Sequence, residues 1–473
     1  MTMNRLECST IYLARLVLEA ETALSISTGN PDGVFDTALV RDANGLPAIP
    51  GTSLAGVLRH LWDETGDADA LFGYQNRKEG SASRLVVSWG LLLDSQGRSA
   101  EGLLTGDREE RLEDPLYGAV IAQIDAPVYR DRVHVTHHGA ASSRGKFDRS
   151  VLPAGHRFAV ELRLWAESPE TAGSEWDRLL SLLRHPAFRL GGNTRAGLGR
   201  MKLVSAHEAC FDLRDCKQRR HFCALGRGID DTDGLAERQV EIPVVKGWKP
   251  GTLRLKARGP WRIGQGSKGI ARRDKPADLL PRMEERIDWM DGKGERKLGM
   301  LLIPASSIKG ALAHRMTFHA RRFAGEWNTG SLDDERSKAA RQLLGWIKDS
   351  RDGNEKGQVG RLILDDVSLT LEQTQVVHLM HNAIDRFTGG VRDRVLFDEE
   401  SLLGGEFEVH LAVNARDLDD DAIRRAFKAA LDDLCQGRLA IGSRTTTGNG
   451  FFNGQLTGPL ADWLDETQRG EVA

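Results

Sequence analysis

The sequence predicts an α+β protein of two tandem ferredoxin-like (RRM-like) domains, and three observations carry that prediction. The 473-residue chain repeats itself in order at a spacing of about 250 positions. Each copy reads strand–helix–strand twice, the order of a ferredoxin-like unit. The composition, 40% hydrophobic and 28% charged, is that of a folding globular chain and excludes wholesale disorder and collagen.

The repeat is seen first in PGTSLAGVLRH, from Pro50, and PASSIKGALAHR, from Pro304, which lie 254 positions apart. Asp131-Arg132 in YRDRVHV answers Asp385-Arg386 in AIDRFTG at the same offset, and the glycines of LPAGHRF and LLGGEFE follow. Near the end of each copy GGNTRAGLG is matched by IGSRTTTGNG, with Gly197 and Gly448 251 apart. These matches divide the chain into a first domain at 1–206, a polar linker at 207–245, a second domain at 246–460 and a tail at 461–473.

Each domain opens on a strand, IYLARLVLEA in the first, whose apolar residues crowd together rather than alternate. A polar loop leads to the Pro-Gly-Thr-Ser segment, where Thr52 and Ser53 are N-cap candidates. Beyond them Leu54, Val57, Leu58, Leu61 and Trp62 form one apolar helical stripe. Ser306 and Ser307, with Ile308, Ala311, Leu312 and Met316, repeat the design. After Leu-Gly stops, SRLVVSWGLLL and GRLILDDVSL read as strands. Second helices follow on Trp176, Leu179, Leu180 and Leu183, and on Ile423, Phe427, Ala430, Leu431 and Leu434.

Lysine plus arginine number 65 against 68 acidic residues, so the net charge of −3 names no partner, and a nucleic-acid surface has to be a local basic patch. No run approaches the roughly 18 apolar residues of a membrane helix, and MTMNRLECST lacks a signal-peptide core, which predicts a cytoplasmic protein. Five cysteines, an odd number without an export signal, predict reduced thiols. Cys210, Cys216 and Cys223, with His207 and His221, lack the short C-x₂-C hairpin of a specific structural zinc site, and free thiols are the default reading. A P-loop is absent.

The run DTALVRDANGLPAIPGTSLAGVLR from Asp36 to Arg59, followed by LFG, by DRVHV and by GGNTRAGLGR, resembles the RAMP superfamily of CRISPR-associated proteins. Within it, the backbone subunits of type III effector complexes are the most similar. The resemblance spans both domains and implies two such subunits fused, each with an inserted β-hairpin thumb. It also implies an antiviral-defence ribonucleoprotein in which the chain lies along guide RNA (crRNA) beside other CRISPR effector subunits. Active members cut complementary target RNA at regular intervals.

In that family the cleaving carboxylate lies in the loop before the Pro-Gly-Ser-Ser-Leu helix start. Asp36, 14 residues before Pro50, holds the position in the first domain; in the second it falls to Asp288, 16 residues before Pro304, with Asp291 a nearby competitor, in a long loop from Arg262 to Leu298. RNA brings its own 2′-hydroxyl nucleophile, so in-line geometry is most of the task, and a splayed nucleotide meets it. One carboxylate then suffices as general base or as holder of a divalent cation, and the resemblance implies Mg²⁺ or Mn²⁺ at Asp36 and Asp288. A loop aspartate capping a turn is the plainer reading of the same residue.

Expected RNA contacts are the helix starts at Thr52, Ser53, Ser306 and Ser307, where free N–H groups suit a phosphate. Arg59 and Lys309 lie on the same helices. The Gly-rich segments add Gly192, Gly197 and Gly448, which let the backbone approach RNA, with Arg195 and Arg444 for charge. On the first thumb stand Arg130, Arg132, His134, His137, Arg144 and Lys146; Lys268 and Arg386 are further basic candidates in the second domain. His137 and His138 are adjacent and face opposite ways on a strand, which argues against a histidine dyad. Two alternative readings remain at this point: a non-catalytic guide-RNA scaffold, and a guide-processing endonuclease acting through a histidine such as His137.

Overall fold

The computed structural model describes residues 8–29, 37–63, 67–77, 79–136, 141–243, 245–264, 266–269, 275–326, 338–346, 357–370, 375–418 and 420–469. In the first unit the chain runs β1 (Thr10–Ala20), α1 (Gly51–Asp63), β2 (Leu85–Val87), the thumb hairpin β3 (Tyr129–Val135) and β4 (Ala141–Ser150), β5 (Arg157–Ala166), α2 (Pro169–Ser181) and β6 (Met201–Asp212). Its sheet has the order β6–β1–β5–β2, all antiparallel, which is the ferredoxin-like arrangement with first and third strands central. Leu54, Leu58, Leu61 and Trp62 of α1 and Trp176, Leu179 and Leu180 of α2 are buried in one core against that sheet.

The crowded apolar pattern of β1 has a structural cause: the second face of the sheet is covered as well. Ile229 packs on Leu93 and Ala159 there. Arg15, 4% exposed, donates to Glu161 at 3.0 Å, to the Gly226 carbonyl at 2.7 Å and to the Asp231 carbonyl. The segment 207–245 is therefore built into the first unit rather than strung between domains. Residues 207–212 continue β6 beside β1, and the helix α3 (Cys216–Ala224) follows, capped by Asp215. Cys210, Cys216 and Cys223 are exposed free thiols.

The second unit repeats the path: β7 (Trp248–Ala257), a hairpin β8 (Met283–Met290) and β9 (Lys293–Ile303), α4 (Ala305–Ala324), β10 (Leu362–Leu364), β11 (Val376–His381) and β12 (Phe397–Leu403), β13 (Glu406–Asn414), α5 (Asp421–Cys435) and β14 (Phe452–Thr457). The sheet order β10–β13–β7–β14 is the same ferredoxin-like order. A second core gathers Ile308, Leu312 and Met316 with Ile423, Phe427 and Leu431. The expected tail joins it, since α6 (Pro459–Arg469) buries Leu460, Trp463 and Leu464.

The Gly-rich loops superpose in backbone as well as sequence. Asn193 and Arg444 are both left-handed, at φ 57 and 56, and Gly197 and Gly448 follow at 112 and 100. Arg444 thus stands where the first unit has Asn193, not Arg195. Asp131 and Asp385 do not correspond: Asp131 lies on β3, whereas Asp385 starts a turn beyond the end of β11. The N-caps also differ from expectation. Both helices begin two or three residues earlier, so Thr52, Ser53, Ser306 and Ser307 occupy their first turns, and Pro304 is the cap residue of α4.

Candidate nucleic-acid interface

The residues 262–298, expected as a loop, hold the β8–β9 hairpin, and this hairpin clamps the two units together. Asp291 and Gly292, at φ 49 and 78, make the tight turn that joins its strands. Along β8, Ile287 N donates to Ala154 O at 2.9 Å and Trp289 Nε1 to Gly155 O at 2.7 Å, while Arg157 stacks 4.3 Å from the Trp289 ring. Asp288 is therefore a strand residue, register-paired with Glu295 and 3.4 Å from Arg286. Asp291 is a turn residue. Neither residue lines the cleft described next.

Between the units lies an open cleft of about 1020 Å³. The first unit lines it with β3 and the Gly-rich loop; the second lines it with β8, β9, Gly264, residues 266–269 and the first turn of α4. Arg130, Arg132, Arg149, Lys268, Arg282 and Arg296 bring positive charge to its walls, against Asp131, Glu284 and Glu285. Five sequence-predicted residues, Arg130, Arg132, Lys268, Ser306 and Ser307, meet here from opposite halves of the chain. Arg149, Arg282 and Arg296 are additions that only the fold reveals.

These cations differ in what they offer a ligand. Arg130 is only 12% exposed and is held by Glu284 at 2.7 Å and by Asp366. Burial alone would weaken its charge, but Asp366 and Glu284 outweigh that and hold it protonated. Arg130 thus lines the cleft while its charge is engaged by carboxylates of the junction. Arg132 ties the thumb to the Gly-rich loop, donating to Asn193 Oδ1 at 2.9 Å and Ala196 O at 3.3 Å; burial lowers its pKa despite nearby Asp366. Lys268, by contrast, is exposed.

The remaining predicted residues have these places. His134 is exposed on β3, with Nδ1 3.1 Å from Ser142 Oγ, and Lys146 is exposed 3.7 Å from Asp131. Arg59 braces α1, donating to Gly73 O at 2.6 Å and to Asp69. Arg149 packs on Gly192, where a Cβ would lie 2.5 Å from its Nη1. Lys309 donates to Arg195 O at 2.9 Å across the junction. The N-terminus of α4 already faces a carboxylate, because Asp366 Oδ1 accepts from Ala305 N at 2.8 Å. Arg444 lies 3.6 Å from the wholly buried Glu399 and bonds His381 Nδ1 at 3.3 Å, and Arg386 lies 5.0 Å from the ring of Phe387, 84% exposed. Asp36 and His137 lie outside the described residues, as does the side chain of Arg144.

Among the described residues the sheets do not provide the aromatic platform that RRM-type domains offer to bases. The first is covered, and the outward residues of β7 are Thr252, Arg254 and Lys256. A family model for the RAMP superfamily matches the chain over residues 17–202 and 254–453. The chain belongs to the RAMP superfamily. The two matched stretches are the two ferredoxin-like units, so this is a fused double RAMP protein and, as such, a CRISPR-associated RNA-binding subunit. No curated protein matches it. No helix among the described residues of this RAMP protein is long and apolar enough to cross a membrane.

Proposed function

We propose that the chain is a backbone subunit of a type III CRISPR effector complex that lays guide RNA along the interunit cleft and cuts the paired target RNA at its first unit. The observation that carries this reading is the convergence of Arg132, Arg149, Lys268 and Arg282, from both halves, on one open cleft. Such a surface binds a phosphate backbone by charge neutralisation, without sequence preference.

For cleavage, the target's 2′-oxygen attacks the adjacent phosphorus as its proton leaves, and the 5′-oxygen departs with a proton. The products are a 2′,3′-cyclic phosphate and a 5′-hydroxyl. The proposed proton acceptor is Asp36. Its neighbour Thr37 lies beside the root of the thumb, the Thr37 carbonyl accepting from Ser150 N at 3.4 Å. A thumb that unstacks a target nucleotide would free its 2′-oxygen for in-line attack. Among the described residues no three His, Cys, Asp or Glu side chains gather as a metal-ligand set. In the alternative role Asp36 would hold Mg²⁺ or Mn²⁺, which would supply stabilisation of the charge that develops on the phosphate oxygens. The second unit is proposed to hold guide RNA without cutting, since neither Asp288 nor Asp291 lines the cleft.

The test is cleavage of guide-complementary RNA by the assembled complex with magnesium, comparing wild type, Asp36→Ala, Asp288→Ala and the double variant. Loss of one cut in Asp36→Ala, with Asp288→Ala unaffected, is expected. Persistence of every cut in the double variant would make the chain a guide-holding scaffold, and cleavage that survives EDTA would point to histidine-based guide processing.

A further inference from the structure

The intrachain junction shows how one unit of this fold seats on another, and the tandem carries two outer faces of the same kind. At the junction the first unit supplies its Gly-rich loop and the second supplies the start of α4 and the residues after β10. Arg200 reaches Asp365 at 2.7 Å, with Arg189 on the same carboxylate, and Lys309 donates to Arg195 O. A Cβ on Gly197 would lie 1.8 Å from Asp366 Oδ1 and 3.0 Å from Ala305 Cβ. That approach is open because Asp366 folds back to cap α4.

Matching backbone hydrogen bonds identify the equivalent outer residues. Ser88 N donates to Glu161 O, and Asp365 N to His410 O, both at 3.0 Å, so Ser88 and Trp89 stand for Asp365 and Asp366. Ser53 N to Pro50 O and Ser307 N to Pro304 O place Ala55 at Lys309. Leu190 N to Gly199 O and Ile441 N to Gly450 O place Ala440 and Phe451 at Arg189 and Arg200. The outer faces therefore keep the backbone and lack these charged side chains. Gly448 has the same left-handed geometry as Gly197, with no described atom within 4 Å of its Cβ position. Trp89, 49% exposed, occupies the place of the small Asp366.

A face-to-different-face contact that matched its own outer ends would propagate into an open filament of one chain. We infer that the Gly448 loop docks a further unit of this fold carried by a different chain, one with a small side chain where this chain has Trp89, and that the indole and the missing ion pairs keep copies of this chain from joining end to end. This deepens the proposed function and rests on it for the neighbouring subunit, but the exclusion can be read without RNA.

The experiment is sedimentation of RNA-free protein. One variant carries the loop charges, Ala440→Arg with Phe451→Arg; another carries the face, Ala55→Lys, Ser88→Asp and Trp89→Asp. Wild type and each variant alone are expected to sediment as monomers, and the 1:1 mixture as a dimer that dissociates toward 1 M salt, where the Debye length is about 3 Å. Thermal melting confirms that both variants fold. Folded variants that stay apart would overturn the inference, as would wild-type association abolished by Thr447→Trp. Neither outcome touches target cleavage, so the failure of this inference and that of the proposed function are separable.

Discussion

Arg130 of the first unit and Glu284 of the second face each other as a fork on a carboxylate, with Nε–Oε1 2.9 Å and Nη2–Oε2 2.7 Å. They lie 154 residues apart in the chain, and both are largely buried. Removing one member of such a group leaves the others charged and desolvated. Arg130→Ala is expected to cost about 3–5 kcal/mol, and adding Glu284→Gln and Asp366→Asn should recover part of it. Urea denaturation decides; a loss below about 1 kcal/mol would mean that water already screens the cluster, as at a surface pair.

The paired glycines make an internal control. Gly197→Ala and Gly448→Ala both place a Cβ on a left-handed backbone, a strain of roughly 1–2 kcal/mol each. Only Gly197 has a neighbour in the way, Asp366 at 1.8 Å. Gly197→Ala should therefore lower the melting temperature clearly more than Gly448→Ala, and equal losses would contradict the junction described above.

His185 sits with its ring edge-on to Trp248, 5.7 Å between centroids, and its Nδ1 accepts from Ala187 N at 2.9 Å. Burial, then the charges of Arg195, Arg416 and His60, push its pKa down to about 4. The folded protein thus prefers the neutral ring, whereas the unfolded chain takes up a proton near pH 6.5. Its contribution is full above about pH 6.5, declines as pH falls toward 4, and amounts to something on the order of 3 kcal/mol. His185→Asn keeps an acceptor and removes the titration. Wild type should lose more stability than this variant between pH 7 and pH 4.5 in denaturant melts, and parallel curves would refute the assignment.

Lys268 and Arg130 both line the cleft but should behave differently toward RNA. Lys268→Ala is expected to reduce the slope of log K against log salt by about 0.7 for single-stranded RNA. A milder junction variant, Arg130→Lys, should leave that slope unchanged, because its charge is already balanced by Glu284 and Asp366. Fluorescence anisotropy over a salt series separates the two.

Much of the architecture is legible in the sequence because it is local. The apolar stripes of α1, α2, α4 and α5 follow helical spacing, and the Gly-rich loops announce left-handed backbone wherever they occur. The junction is not legible, since nothing in the chain marks Arg130 as the partner of Glu284 and Asp366 rather than of a phosphate. The β8–β9 hairpin lies between these cases. Asp291-Gly292, flanked by strand-like runs, is its visible signal, but among the described residues the first unit has no hairpin of that size to align with. The Asp131 and Asp385 pairing fails for a related reason, because an offset carried across hairpins of different length shifts strand onto turn.

The covalent link between the two units gives their junction an unusual concentration dependence. The Gly197 loop and the Asp366 face meet as parts of one molecule, at an effective concentration that dilution cannot lower. A weakened junction would open to the same extent in a nanomolar as in a micromolar solution. Any assembly that grows by adding this chain gains its RAMP units two at a time and in fixed order.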